Sequence, residues 1–286
     1  MLAILMLLTC ALTASCGKEE EGEDTSAATD ASAAPTDGVV RSFLAAYEKA
    51  AAAEAEEEPA DEAAPGTGDN DIKGEPMGES GRALLNLWAD GKLDVYVGVA
   101  NADGHKMAKY EGTYTLGENA EFDETISFSY TCEGKTVSVE NAVIIDGVFS
   151  AGFEFLPEVA MDELKFYETA PAATDGDVYV GYLAKTGGMG SMVYAYSLCI
   201  QGDGNFKVSI MQLASVMHVF GESVGTYTVD GNNVTFTYDV SDGEGGIAVE
   251  DYISKATRVT EAELSAGFNI AQTSVAASNA KFIRVK

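Results

Sequence analysis

A chain of 286 residues with 46% hydrophobic residues is long enough for about two average domains and can bury at least one sizeable core. Its 17 Lys and Arg stand against 46 Asp and Glu, a net charge of −29, which argues against nucleic acid and anionic lipid headgroups as direct partners. With 22% charged residues and 9% aromatics, it is not a wholly disordered acidic chain either.

Leu2 to Leu12 form an apolar run broken only by Thr9 and Cys10. The run is too short for the roughly 20 residues of a membrane-spanning helix and reads as the apolar part of an export signal. Thr13-Ala14-Ser15-Cys16-Gly17 follows, and small residues ahead of a cysteine resemble the lipobox of bacterial lipoproteins. The resemblance implies that residues 1–16 are a lipoprotein signal peptide, that Cys16 carries the lipid, and that the chain is extracytoplasmic and held to a bacterial membrane. An ordinary cleaved signal with an incidental Cys is the alternative.

Residues 17–80 carry 18 acidic and 4 basic side chains, a net of −14, in a background of Ala, Ser, Thr, Gly and Pro. Such a stretch buries too little apolar surface to offset its ordering entropy and reads as an acidic tether. Within it Val39, Val40, Phe43, Leu44 and Tyr47 recur at helical spacing after Asp37, a candidate N-cap, and Pro59 closes the run. This predicts a helix over about 38–57, either docking a partner or resting its apolar stripe on the domain behind it. Asp69, Asp71 and Gly74 fit the first positions of a calcium loop, but Lys73 and Ser80 stand where that loop needs ligands.

From residue 84 the pattern changes to strands, and it repeats. Aligning 85–119 with 198–232 at an offset of 113, without gaps, gives 10 identities in 35 positions, against about two expected from average residue usage. After an indel, Ile126, Phe128 and Tyr130 match Val234, Phe236 and Tyr238. Ser150-Ala151-Gly152-Phe153 then matches Ser265-Ala266-Gly267-Phe268, and Lys165-Phe166 matches Lys281-Phe282. Two copies, 84–168 and 175–286, form the body of the protein.

Leu93, Val95, Val97 and Val99 alternate with polar or small residues, as do Phe206, Val208 and Ile210, so each copy reads as strands with one face on a core. Asp90-Gly91, Asp146-Gly147, Asp203-Gly204 and Asp230-Gly231 supply tight hairpins. Strands are expected near 84–89, 92–100, 111–117, 125–132, 136–145, 148–155 and 164–168. The second copy repeats them near 193–201, 205–213, 223–230, 233–240, 250–259, 263–270 and 280–285, after an additional leading strand at 177–185. The expectation is an all-β protein of two tandem antiparallel up-and-down meanders, closed to hide their edges. The apolar inner face and the Ser and Thr of the outer face argue against an outer-membrane barrel.

The turns, the stretch Gly225-Thr226-Tyr227-Thr228, the run Val234 to Tyr238 and the final strand Lys281 to Arg284 resemble the short lipocalin-like modules of bacterial surface lipoproteins. That resemblance implies barrels that take a small apolar or amphipathic ligand. Trp88, Tyr179, Tyr182, Tyr194, Tyr196 and Phe206 are the candidate ligand residues.

The two histidines, His105 and His218, are separated by the repeat offset and form a possible duplicated polar site, or a duplicated loop residue. Cys132 and Cys199 could form a disulfide between the copies in an exported protein, although Cys199 also reads as a buried thiol in mid-strand. Lys185 to Gly190 is glycine-rich without a following helix and reads as a hairpin loop. Asp239, Asp242, Glu244, Glu250 and Asp251 form an acidic cluster of the kind a chain this acidic carries by chance. No nucleophile elbow, Cys/His pair or zinc spacing occurs, so no metal or cofactor is expected. The function expected is non-enzymatic ligand binding at the cell envelope, with a surface-contact or structural role, toward a protein or glycan, as the alternative.

Overall fold

The computed structural model describes residues 38–49, 78–187, 190–214, 217–240, 249–269 and 279–286. Sixteen strands and no helix occur among them. The first eight are β1 (Val39–Lys49), β2 (Glu79–Trp88), β3 (Lys92–Asn101), β4 (Gly104–Glu118), β5 (Glu124–Cys132), β6 (Lys135–Val143), β7 (Val148–Leu156) and β8 (Val159–Thr169). The second eight are β9 (Asp177–Gly187), β10 (Gly190–Ile200), β11 (Asn205–Ala214), β12 (Met217–Asp230), β13 (Asn233–Val240), β14 (Val249–Arg258), β15 (Glu263–Ala266) and β16 (Ala280–Arg284).

Each set is an antiparallel meander whose last strand returns to its first, β8 pairing with β1 and β16 with β9. The second set closes as a barrel, and the first is an eight-stranded sheet open only between β6 and β7. The two are copies strand for strand. Ala83 pairs with Val97 as Tyr196 pairs with Ile210, each pair offset by 113.

The expected helix over 38–57 is not formed where the chain is described, because residues 39–49 are β1, at the centre of the first sheet between β2 and β8. Phe43, Ala45 and Tyr47 enter the core of that sheet while Leu44 joins the layer between the two sheets. A strand buried on both faces loses the alternation that marks a half-buried one, and its apolar positions then mimic helical spacing. The first copy therefore starts at β1 and not at residue 84, the tether does not run unbroken from 17 to 80, and β1 is the counterpart of β9, so the second copy has no additional strand.

The recurring motif has a physical explanation in both copies. Tyr114 Oη donates to Trp88 O at 2.8 Å and Tyr227 Oη to Gln201 O at 2.9 Å, tying the later part of the long fourth strand to the end of the second strand of its copy. The glycine two residues earlier is a steric requirement. A Cβ at Gly112 would lie 2.0 Å from Ser129 O, and one at Gly225 would lie 2.1 Å from Thr237 O.

The seam before the seventh strand is held by tyrosines as well as by the ladder. In the barrel only Thr257↔Ser265 and Arg258↔Leu264 join β14 to β15, and in the first sheet a lone bridge, Ile145↔Val148, stands at the turn. Tyr130 Oη donates to Glu154 O at 2.7 Å and accepts the Glu154 N–H at 3.0 Å. Tyr110 Oη donates to Phe155 O at 3.0 Å. In the second copy the equivalent Tyr238 Oη accepts the N–H of Asn269 at 3.1 Å.

The sheets belong to one compact unit and pack outer face to outer face about a pseudo-two-fold axis. β1 touches β10 as β9 touches β2, β8 touches β11 as β16 touches β3, and β8 touches β10 as β16 touches β2. Leu44, Leu84, Tyr96 and Tyr167 meet Val178, Val180, Ala195 and Met211 in this layer. Gly98 lets the Arg284 backbone approach, since a Cβ there would lie 2.1 Å from Arg284 O.

Tyr130→Phe leaves the buried Glu154 N–H and C=O without their partner and is expected to lower unfolding stability by about 1–3 kcal/mol. Tyr238→Phe strands a single N–H and is expected to cost less. Urea midpoints at unchanged slope measure both, and equal, negligible losses would show that the ladder alone holds the seam.

Candidate functional site

The interiors of the two copies differ. The first is filled by large rings in contact, with Phe149 stacked on Phe166, Phe43 edge-on to Phe149 and Phe153 set at 4.9 Å from Phe155. In the second the half nearest the β10–β11 turn is closed in the same way, by Phe206 at 4.8 Å from Phe236 and Phe268 at 6.0 Å from Phe282.

Toward the opposite end, where β9 turns into β10 and β11 into β12, the inward residues become polar. Tyr196 and Gln212 are 0% and 4% exposed, and neither the Tyr196 hydroxyl nor Gln212 Oε1 has a hydrogen-bond partner. Tyr196 pairs with Ile210 and Tyr194 with Gln212, so Tyr196 and Gln212 are diagonal neighbours on one inward face, with Cα atoms ~7–8 Å apart. Tyr194 Oη is directed at Met192 Sδ, which Gln212 Nε2 also approaches at 3.6 Å. The Tyr196 ring packs 5.3 Å from Phe282 and 6.4 Å from Phe268, and burial pushes its hydroxyl pKa up, so it is a neutral donor. The site thus presents one buried hydroxyl and one buried amide oxygen against an aromatic wall.

Of the six candidate ligand residues the structure brings Tyr194 and Tyr196 to this site. Tyr179 and Phe206 lie in the same core. Tyr182 is instead on the outer face, 6.0 Å from Tyr167 of the first copy. Trp88 is in the first copy, lining an outer groove with Asp94 and Lys109. Sequence reasoning passed over Gln212 and Met192. The signal for Gln212 was legible, because it continues the inward series Phe206, Val208, Ile210 with a polar side chain.

His105 and His218 occupy the same register, opposite Ala100 and Leu213, and both are on strands instead of in loops. His105 lies between the copies, with Nε2 2.8 Å from Arg284 O. A carbonyl only accepts, so Nε2 carries the proton, and burial lowers the ring's pKa from its usual 6.5. The His218 side chain is not among those described.

Cys132 and Cys199 are free thiols, so the disulfide that an exported protein could form is not made and the buried-thiol alternative for Cys199 holds. Cys132 is inside the first sheet, donating to Tyr110 Oη at 3.3 Å, while Cys199 is in the layer between the copies, 3.2 Å from Asp175 Oδ1. Desolvation raises both, Cys199 to about 12. Lys185 to Gly190 spans the β9–β10 hairpin, with Gly187 paired to Gly190. In the acidic cluster Asp242 and Glu244 lie outside the described residues, as do Cys16 and the calcium-like residues Asp69, Asp71 and Gly74.

No family model, curated protein or solved structure matches the chain. The chain's own duplication supplies an internal comparison. The first-copy counterparts of Tyr196 and Gln212 are Ala83 and Val99, both inside the apolar core. The fold is therefore built at these positions without polar groups, and the unpartnered pair is particular to the second barrel.

Because the folded His105 has a lowered pKa, its contribution to stability is present above pH 6.5 and is lost as pH falls through its folded value. Stability at pH 5.5 relative to pH 7.5 is expected to drop less in His105→Ala than in the parent protein, measured by urea unfolding at both pH values. Both thiols are expected to resist labelling at pH 8 in the native protein and to react fully in denaturant, with or without prior reduction.

Proposed function

We propose that the chain is a non-enzymatic, extracytoplasmic lipoprotein, anchored through Cys16, that binds a small amphipathic molecule inside its second barrel. The observation that carries this reading is the pair Tyr196 Oη and Gln212 Oε1, buried and without partners. Each such group costs about 1–3 kcal/mol when left dry and unbonded. A molecule offering an acceptor to Tyr196 and a donor to Gln212 Oε1 recovers that cost, and its apolar body packs against Leu183, Tyr194 and Phe282. The counterparts Ala83 and Val99 support the view that a stable core of this shape does not need the polar pair. The first sheet, filled by its own rings, serves as the support on which the second barrel is mounted.

The ordinary trade between stability and function supplies the test. Tyr196→Phe and Gln212→Val remove the unpartnered atoms and are expected to stabilise the protein by about 1 kcal/mol each, while weakening binding of an amphipathic fluorescent probe about tenfold. Calorimetry and probe emission measure affinity, and urea unfolding measures stability. A probe panel that never binds the parent protein, or binds the two variants equally well, overturns the reading in favour of a solid barrel that acts through its surface.

A further inference from the structure

The outer face of the first sheet divides in two. Its lower rows, Leu84, Tyr96 and Gly98, are covered by the second barrel, while the rows beginning at Trp88 face solvent. Two cavities lie there. One of about 690 Å³ is walled by Trp88, Asp94, Lys109 and Glu111, and one of about 260 Å³ by Thr115, Ser127, Ser129 and Ser138. They share Thr113 and so form one groove crossing from β2 to β6, a span of ~19 Å at ~4.8 Å per strand.

We infer that this groove binds a neutral glycan chain. Its chemistry is ordered along its length. The half-buried Trp88 ring stands at one end, and Trp is the side chain that offers a large apolar surface while staying partly wet. Lys109 Nζ follows, 3.0 Å from Asp94 and 3.0 Å from Glu111, holding both carboxylates in fixed directions as acceptors. The hydroxyl row Thr113, Ser129 and Ser138, aligned by strand register, comes last and can both donate and accept. A sugar chain presents apolar ring faces and hydroxyls in the same alternation.

The duplication again separates what the fold needs from what it does not. Tyr114 and Gly112, which shape the wall, recur as Tyr227 and Gly225 with the same contacts. Of the groove's recognition groups, the hydroxyls of Thr113 and Ser129 recur as Thr226 and Thr237, and the others do not. Trp88 becomes Gln201, Glu111 becomes Val224, and the residue facing Thr237, as Ser138 faces Ser129, is Ile253. The ion pair Asp94–Lys109 returns as Lys207–Glu222 with its polarity reversed. A polypeptide partner would need a contact of about 1,000 Å² with an apolar centre, and this face is largely hydroxyls and charges, with Lys109 paired to Asp94 and Glu111 and with Glu140 at the far end. The net charge of −29 disfavours an anionic polymer.

Trp88 is the only Trp of the chain, so its emission reports on the groove alone. Full-length protein titrated with neutral oligosaccharides of three to six sugars, from cellulose, chitin and xylan, is expected to show a saturable shift in Trp emission for at least one series. Calorimetry on the same series is expected to lose at least tenfold in affinity in Trp88→Gln, which installs the residue of the second copy, and in Glu111→Val. Tyr196→Phe is expected to leave this affinity unchanged, and Trp88→Gln to leave probe binding in the second barrel unchanged, so the two sites fail separately. Unaltered emission and no heat across the series at millimolar sugar overturns the inference. So does sugar binding that persists in Trp88→Gln, or capture of a polypeptide with no response to any sugar.

Discussion

Antiparallel pairing sets the strands of each copy beside their chain neighbours, but the junction before the seventh strand is short of ladder bonds, and a tyrosine hydroxyl supplies them. In the first copy Tyr130 serves both backbone groups of Glu154, and in the second Tyr238 serves the N–H of Asn269. This substitution constrains the rest of the interior. A ring must cross the core to reach the seam, so the core is built from rings that pack on it: Tyr110 at 5.6 Å and Phe153 at 5.4 Å from Tyr130, Phe206 at 5.8 Å from Tyr238. Tyr110, Tyr114 and Tyr227 are likewise tied to the backbone through their hydroxyls, and buried Tyr47, Tyr96 and Tyr194 bond side chains. The buried Tyr196 hydroxyl makes neither kind of bond to a described residue, and this gives the second barrel chemistry that the equivalent position of the first, Ala83, lacks.

Duplication has preserved geometry and released chemistry. The same faces of the two copies meet, so the interface is isologous within a single chain, and each surface left over is free to diverge. The outer rows of the first copy keep a Trp and acidic groups, whereas the equivalent rows of the second carry Val224 and Ile253, both exposed. The inner rows diverge the other way, apolar in the first copy and polar in the second. Each copy thus carries one specialised surface, on opposite sides of its sheet.

The architecture was legible in the sequence where burial is one-sided. Leu93 to Val99 and Phe206 to Ile210 alternate because one face meets a core, and the Asp-Gly turns take the left-handed backbone expected of them, with φ of 85° at Gly91 and 90° at Gly204. It was illegible where burial is two-sided, as in β1, whose outward Ser42 and Leu44 are covered by the second copy's side of the molecule or by Asn86. The candidate site was half legible. Aromatic residues near the start of the second copy were visible, but periodicity cannot tell a ring facing the interior, such as Tyr196, from Tyr182 facing the neighbouring barrel, until strand register is known. The cysteine pairing was beyond sequence for the same reason, since Cys132 points inward and Cys199 outward.

Arg82 shows how the two copies are held in one arrangement. Its guanidinium is 0% exposed. It donates to Tyr47 O at 3.2 Å and Gly81 O at 3.0 Å, meets Glu48 at 2.7 Å, and lies 5.9 Å from the Tyr182 ring of the second barrel. Desolvation lowers its pKa, and its Nε has no partner. A buried cation of this kind adds little net stability compared with an apolar side chain of similar volume, but losing its partners costs about 3–5 kcal/mol. Sliding one barrel over the other would withdraw the Tyr182 ring and leave the charge facing the apolar layer of Leu84 and Val180. The apolar layer supplies the attraction between the copies, and Arg82 restricts it to one register, which keeps the solvent-facing groove and the mouth of the second barrel in a fixed relation.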